Sequence, residues 1–325
     1  MGWQIRDYDV ADAPGCVAVR NAIHTDTAFS VEQWRHNDDT AGPGVKWRRW
    51  VVEDGDAIVA YGGYSQSAWI HHPRKFGVAV NVHPDHREQG IGTALYDRVT
   101  EALGDFDPVL LRSFVRESEK AALDFLARRG FAEKMRELTS RLDLTAFDPA
   151  AFARDLARAT DAGLRIISFA EQAAADPECE RRFWAMDMDI SRDVPTTSPI
   201  TPLAFEIYRD QILRGPDFLP DLTMIALDAD GAYVGLSYLM GTAEAGSLQT
   251  NLTGVVRAWR RKGVAMALKV AALSRAKARG DTRVITWNES GNTGMLGINR
   301  RLGFAPLPAW ITLEKTLADA GEETP

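Results

Sequence analysis

Short runs in which apolar residues alternate with polar ones break repeatedly at turn pairs. Between them lie longer stretches whose apolar residues recur at helical spacing, so the first pattern predicts strands and the second helices. Gln4–Arg6 reads as an opening strand, and Asp12 ahead of Pro14 caps a helix through Ile23. A polar stretch from His24 to Gly44 carries Trp34. Lys46–Glu53 and Ala57–Ser67 then form strands around Asp54-Gly55, a hairpin turn pair. Phe76–Val82 is a strand, Gly90 to about Leu103 a helix, Val109–Val115 a strand, Glu119–Arg129 a helix and Arg136–Leu142 a closing strand. Asp143 to Gly163 is Ala/Asp-rich, with Pro149 placed to start a helix, and reads as a connector.

The order then recurs. Arg165–Ser168 is a strand, Pro177–Asp189 a helix, SRDVPTTSPITP a proline-rich loop from Ser191, and Leu203 to Leu213 a further helix. Leu222–Leu227 and Val234–Met240 make a hairpin around Asp230-Gly231, and the run from Leu248 to Val255 is the next strand. A helix follows with Val264, Leu268 and Ala271 on one face, then Arg283–Trp287 as strand, Gly291–Leu302 as helix and Trp310–Leu317 as last strand. The alternation predicts a mixed sheet flanked by helices, an α/β fold. Gly62, Arg87, Gly90, Leu95 and the pair Gly130-Phe131 reappear as Gly235, Arg260, Gly263, Leu268 and Gly303-Phe304, every one displaced by 173 positions. A single offset held over that distance marks an internal duplication. The expected units are 1–145 and 164–325, joined by 146–163.

Each strand-to-helix bend in the repeat is rich in glycine and charge: Arg87-Glu88-Gln89-Gly90-Ile91-Gly92 in one copy, Arg260-Arg261-Lys262-Gly263-Val264-Ala265 in the other. The first backbone N–H groups of a helix are unpaired and its dipole favours a negative group, so such a bend suits an anion. Glycine lets the backbone approach without a Cβ in the way.

Composition narrows the class. With 325 residues, 45% hydrophobic and 26% charged, the chain is large enough for two ordinary globular domains. No apolar run approaches the ~20 residues of a membrane helix, and charge follows Met1-Gly2-Trp3 where a signal core would be apolar; a cytoplasmic protein is expected. Cys16 and Cys179 imply no disulfide framework. A net charge of −7 without a dense basic face argues against nucleic acid.

Arg-x-x-Gly-x-Gly at Arg87–Gly92 and Arg-x-x-Gly-x-Ala at Arg260–Ala265, each between a strand and a helix, resemble the acetyl-CoA loop of the GNAT acetyltransferase superfamily. Phe125-Leu-Ala-Arg-Arg-Gly-Phe131 and Ile298-Asn-Arg-Arg-Leu-Gly-Phe304 resemble the Leu-Gly-Phe signature that closes that fold, with Arg129 standing where the pattern has Leu. The resemblance implies two tandem GNAT-like domains, each a central, mixed, splayed sheet flanked by helices. It implies acetyl-CoA as acyl donor and a small-molecule primary amine as acceptor, without metal, membrane or nucleic acid, in a monomer or homodimer. Cofactor contacts carried over are Val80, Val82 and Arg87, Glu88, Gln89, Gly90, Ile91, Gly92 and Thr93 in the first copy. In the second they are Thr253, Val255, Arg260, Arg261, Lys262, Gly263, Val264 and Ala265, with Asn288 and Asn292 beside the pantetheine arm. Glu119 stands where the second copy has Asn292 and Glu88 offsets Arg87, so the C-terminal half is expected to be the principal site.

The family's proton-donating Tyr is replaced by Leu126 and Asn299, and its general-base Glu by uncharged residues such as Asn81 and Asn251. Either water relays the proton, or a carboxylate such as Asp189 or Asp193 takes the role; Asn299 can donate a hydrogen bond but no proton. All the histidines fall in the first half. His71, His72, His83 and His86 could gather zinc, but no Cys lies near, and a polar rim or an acceptor-side base is expected instead. The competing reading of the whole chain is a non-catalytic acyl-CoA-binding protein with this tandem fold.

Overall fold

The computed structural model describes residues 2–317. The chain forms two units, Met1–Arg136 with Ala309–Pro325, and Glu137–Pro308. In chain order the first holds β1 (Trp3–Asp7), α1 (Ala13–Ile23), α2 (Val31–Asp39), β2 (Trp47–Asp54), β3 (Ala57–Ser65), β4 (Lys75–Val82), α3 (Ile91–Leu103), β5 (Leu110–Arg116) and α4 (Lys120–Ala127). The chain continues through β6 (Ala132–Asp143), α5 (Ala153–Asp161), β7 (Arg165–Ser168), α6 (Phe169–Ala175), α7 (Cys179–Ser191), α8 (Phe205–Tyr208), β8 (Phe218–Leu227) and β9 (Tyr233–Gly241). Last come β10 (Ser247–Val255), α9 (Val264–Arg279), β11 (Arg283–Glu289), α10 (Thr293–Leu302) and β12 (Ala305–Thr316).

The sheet of the first unit has the order β1-β2-β3-β4-β5-β12, that of the second β6-β11-β10-β9-β8-β7. β4 with β5 and β10 with β11 run parallel among antiparallel neighbours, so each sheet is mixed. Alternation along a strand feeds both faces of the first sheet. Trp50 and Val52 pack with Leu95 and Val99 of α3, while Val51 between them joins Cys16 and Trp34 from α1 and α2. In the second unit Val264, Leu268, Ala272 and Ala276 of α9 pack with Met224, Val234 and Val284.

Two expectations are corrected. Residues 136–142 and 310–317 were each expected to close the sheet of their own half, but they are exchanged. Trp310 to Thr316 pair antiparallel with Arg116 to Leu110, and Glu137 to Asp143 pair with Glu289 to Arg283. The copies are near-repeats, so β5 and β11 offer equivalent edges and nothing local in a closing strand selects between them. The stretch 146–163 is likewise not a bare connector. It builds α5, whose Ala159, with Phe152 just before it, enters the core of the second unit; Phe147 and Phe152 stack there at 5.6 Å between centroids.

Candidate functional site

In the second unit β10 and β11 are paired only where Ser247–Gln249 meets Arg283–Ile285, and the two strands then part. On its other edge β10 carries a bulge, with Thr250 opposite Leu239, Leu252 opposite Tyr238 and Asn251 left over. After β10 the chain turns sharply into α9. Arg261 and Gly263 hold positive φ of 62° and 86°, a conformation that glycine adopts without strain. The first intrahelical bond runs from the Ala267 N–H to the Gly263 carbonyl at 3.1 Å, and no side chain caps the helix. The N–H groups of Val264, Ala265 and Met266 are therefore available. By contrast α2 and α6 are closed by capping boxes, Ser30 with Gln33 and Ser168 with Glu171.

The parted strands and the uncapped turn border a cleft of about 760 Å³. Thr253, Val255, Arg260, Arg261, Gly263, Val264, Ala265, Asn288 and Asn292 all line it. Lys262 does not; its ammonium lies 4.4 Å from the centre of the Trp259 ring. In the first unit β4 and β5 part beyond Gly77 and Arg112, without a bulge. The cleft there is smaller, about 450 Å³, and is lined by Val80, Val82, Arg87, Glu88, Gly90, Gly92 and Thr93. Gln89 is not among its lining residues, and Ile91 is turned into the core at 1% exposure. Arg87 is bound 3.1 Å from Glu119, which takes up part of that loop's charge.

Electrostatics revise the other candidates. The C-terminal loop is less basic than its sequence, because Asp193 accepts from Arg257 at 2.9 Å and also pairs with Arg260. The two guanidiniums hold the Asp193 carboxyl far below the usual range, so it is a poor proton acceptor at neutral pH. Asp189 is not among the cleft's lining residues and lies 3.8 Å from Arg192. Asn299 is buried and donates to the Asn288 Oδ1 at 2.7 Å, which leaves the Asn288 NH2 as the donor for the cleft.

Several cleft residues escape a local reading of the sequence. Glu137 reaches the cleft on β6, directly across from Glu289 in strand register. The Glu289 oxygens are occupied by the Gly291 N–H at 2.8 Å and the Ser290 hydroxyl at 2.9 Å. Glu137 has no such partner among the described residues, and burial, with the Glu289 charge beside it, pushes its pKa up. Behind the bulge, Asn251 donates to the Tyr238 hydroxyl. Tyr238 and Tyr208 in turn donate to the buried Asp187 Oδ2 at 3.1 and 2.6 Å, and Ser191 to its Oδ1 at 2.9 Å. No spacing rule joins these residues; strand register and the packing of α7 bring them together. Among the described residues no cluster of three or more His, Cys, Asp and Glu side chains suits a metal, and no helix is long and apolar enough to cross a membrane.

The sequence model of the Acetyltransferase (GNAT) family matches residues 16–131, from within α1 past the Arg87–Gly92 bend to Phe131. None of the curated proteins matches the chain. Among solved structures, a GCN5-related N-acetyltransferase from Sphaerobacter thermophilus is 22% identical over 97% of this chain and 95% of its own, with a TM-score of 0.69. A tandem GNAT protein from the clavulanic acid biosynthesis pathway is 19% identical over 97% of this chain and 98% of its own, with a TM-score of 0.73. A glucosamine N-acetyltransferase region of a fungal multi-domain β-N-acetylglucosaminidase covers 96% of this chain, with 38% of that protein matched, at 14% identity and a TM-score of 0.70. At such identities the likeness is one of fold, and it extends over both units. Residues 16–131 thus match the GNAT acetyltransferase family, and the fold of the chain, over both units, is that of tandem GNAT proteins.

Proposed function

We propose that the C-terminal unit binds acetyl-CoA and transfers its acetyl group to the primary amine of a small molecule. The observation that carries this reading is the uncapped N-terminus of α9 opening on a cleft beside parted strands. Its N–H groups, with the turn through Arg261 and Gly263 that leads into them, would hold the diphosphate. The edge of β10 freed at Thr253 and Val255 offers strand-type hydrogen bonds to the extended pantetheine arm, and the Asn288 NH2 adds a donor. The fit is supported by open space: a Cβ built on Gly263 would meet nothing within 4 Å. It is supported too by the Thr250 hydroxyl, which is buried at the cleft without a hydrogen-bond partner.

When bound, acetyl-CoA supplies an acyl group activated as a thioester. As the amine nitrogen bonds to the acetyl carbon and the C–S bond breaks, CoA would leave as its thiolate and take a proton from water, while Glu137 takes the proton of the attacking amine, because it is the cleft carboxylate with a raised proton affinity and no competing partner among the described residues. Asp193 does not serve. The N-terminal cleft is secondary, since it is smaller and its Arg87 is held by Glu119.

The test is thiol release from acetyl-CoA with a panel of small amines that includes glucosamine. Turnover with at least one amine is expected, and Glu137→Gln lowers kcat by about 10²–10³-fold at unchanged acetyl-CoA affinity. Tight acetyl-CoA binding with no turnover across the panel would favour a non-catalytic acyl-CoA binder.

A further inference from the structure

Lys269 lies on α9 and lines the same cleft, yet only 2% of its surface is exposed. It has no hydrogen bond or ion pair among the described residues; its ammonium sits 5.3 Å from the centre of the Phe304 ring. An ammonium removed from water without a counter-charge is costly, and an aromatic face returns only part of that cost. Burial alone draws its pKa down to about 8. The charged groups that share its surroundings do not relieve it. Asp155 of α5 accepts from Arg301 of α10 at 2.8 and 2.7 Å, Arg158 of α5 is itself a cation, and Glu289 of β11 is occupied by Gly291 and Ser290. Glu137 of β6 also lines the cleft, and β8 and β9, which lie under α9, contribute no charged group to it.

Ala265, one turn earlier on the same face of α9, lines the cleft with Lys269, and side chains on a helix lean toward its N-terminus, the end at which the uncapped N–H groups lie. A buried cation with no ion-pair partner among the described residues, lining the same cleft as an uncapped helix N-terminus, suits an anion supplied by a ligand. Asp193 meanwhile occupies Arg257 and Arg260, the arginines that would otherwise supply this charge.

We propose that Lys269 is the charge anchor for the diphosphate of a CoA-type ligand, gripping it together with the N–H groups of Val264 to Met266. The inference rests on the reading that acetyl-CoA occupies the C-terminal cleft. It also explains an asymmetry between the copies. The corresponding position of the first unit is Tyr96, whose hydroxyl is buried without a partner and carries no charge.

The test is calorimetric titration with acetyl-CoA at pH 7 and pH 9, for the wild type, Lys269→Met and Lys269→Arg. Methionine keeps the length and removes the charge, and arginine keeps the charge at both pH values. At pH 7 Lys269→Met should bind about tenfold or more weakly, the loss of a charge-assisted contact. An anion raises the lysine's pKa, so wild-type affinity falls as pH rises past the free value, by about tenfold between pH 7 and 9. Lys269→Arg should hold its affinity at both pH values, and Lys269→Met should be weak at both. Lys269→Met binding as tightly as wild type, or a wild-type affinity that is flat from pH 7 to 9, overturns the anchor. Should Lys269→Met fail to fold by circular dichroism, the wild-type pH series decides alone. A wild type that binds no acetyl-CoA overturns the parent reading and the anchor with it, whereas a binding wild type matched by Lys269→Met overturns only the anchor.

Discussion

Gly263 and Gly90 make a matched pair for asking which bend holds the ligand. Their φ angles are 86° and 80°, and a Cβ built on either meets nothing within 4 Å. Replacing either by valine therefore costs the same kind of backbone strain, roughly 1–2 kcal/mol for an L-residue forced left-handed. Without ligand both variants should lose about 2–8 °C in Tm. The ligand-dependent part should then separate them. At a hundred times its Kd a ligand bound only to the native state adds about 2.7 kcal/mol, or about 5–10 °C here. The valine side chain at 263 stands in the open space before the α9 N–H groups, so Gly263→Val should lose most of that shift while Gly90→Val keeps most of it. The assay is thermal unfolding by circular dichroism with and without acetyl-CoA. If Gly90→Val abolishes the shift and Gly263→Val preserves it, the ranking of the two units is reversed. If neither variant loses it, the bends do not hold the diphosphate.

Two further outcomes concern the frame around the site. Asp187→Ala strands the hydroxyls of Tyr208, Tyr238 and Ser191 in the interior and should cost about 3–5 kcal/mol in urea unfolding; a loss below about 1 kcal/mol would mean the cluster relaxes around the gap. Glu171 is held at about 2, from an ordinary 4.5, by the Ser168 N–H and then Arg275. Because the folded value is the lower one, its stabilisation is present above pH 4.5 and is lost as pH falls toward 2. Glu171→Gln should therefore cost about 1 kcal/mol at neutral pH, small because the side chain is half-exposed, and the difference from wild type should vanish in acid.

The duplication, the strand-bend-helix units and the two anion-suited bends were legible from the sequence because each rests on residues within a few positions of one another. Glycine at 90 and 263, helical spacing after it and alternation before it need no distant partner to be recognised. The parting of β10 from β11 followed only from the family resemblance, and Arg257, Arg260 and Asp193 carried opposite charges without any sign that they would meet. What the tertiary structure decided was non-local. It chose which edge each closing strand pairs with, and that choice delivers Glu137, a residue of the first copy's sequence, to the cleft of the second. It tied Asp193 to two arginines and so removed it as a base, turned Asn299 onto Asn288, and left Lys269 buried without a counter-charge among the described residues. Strand pairing and burial join positions far apart along the chain, so the chemistry of such groups depends on partners that their own neighbours in the sequence do not specify.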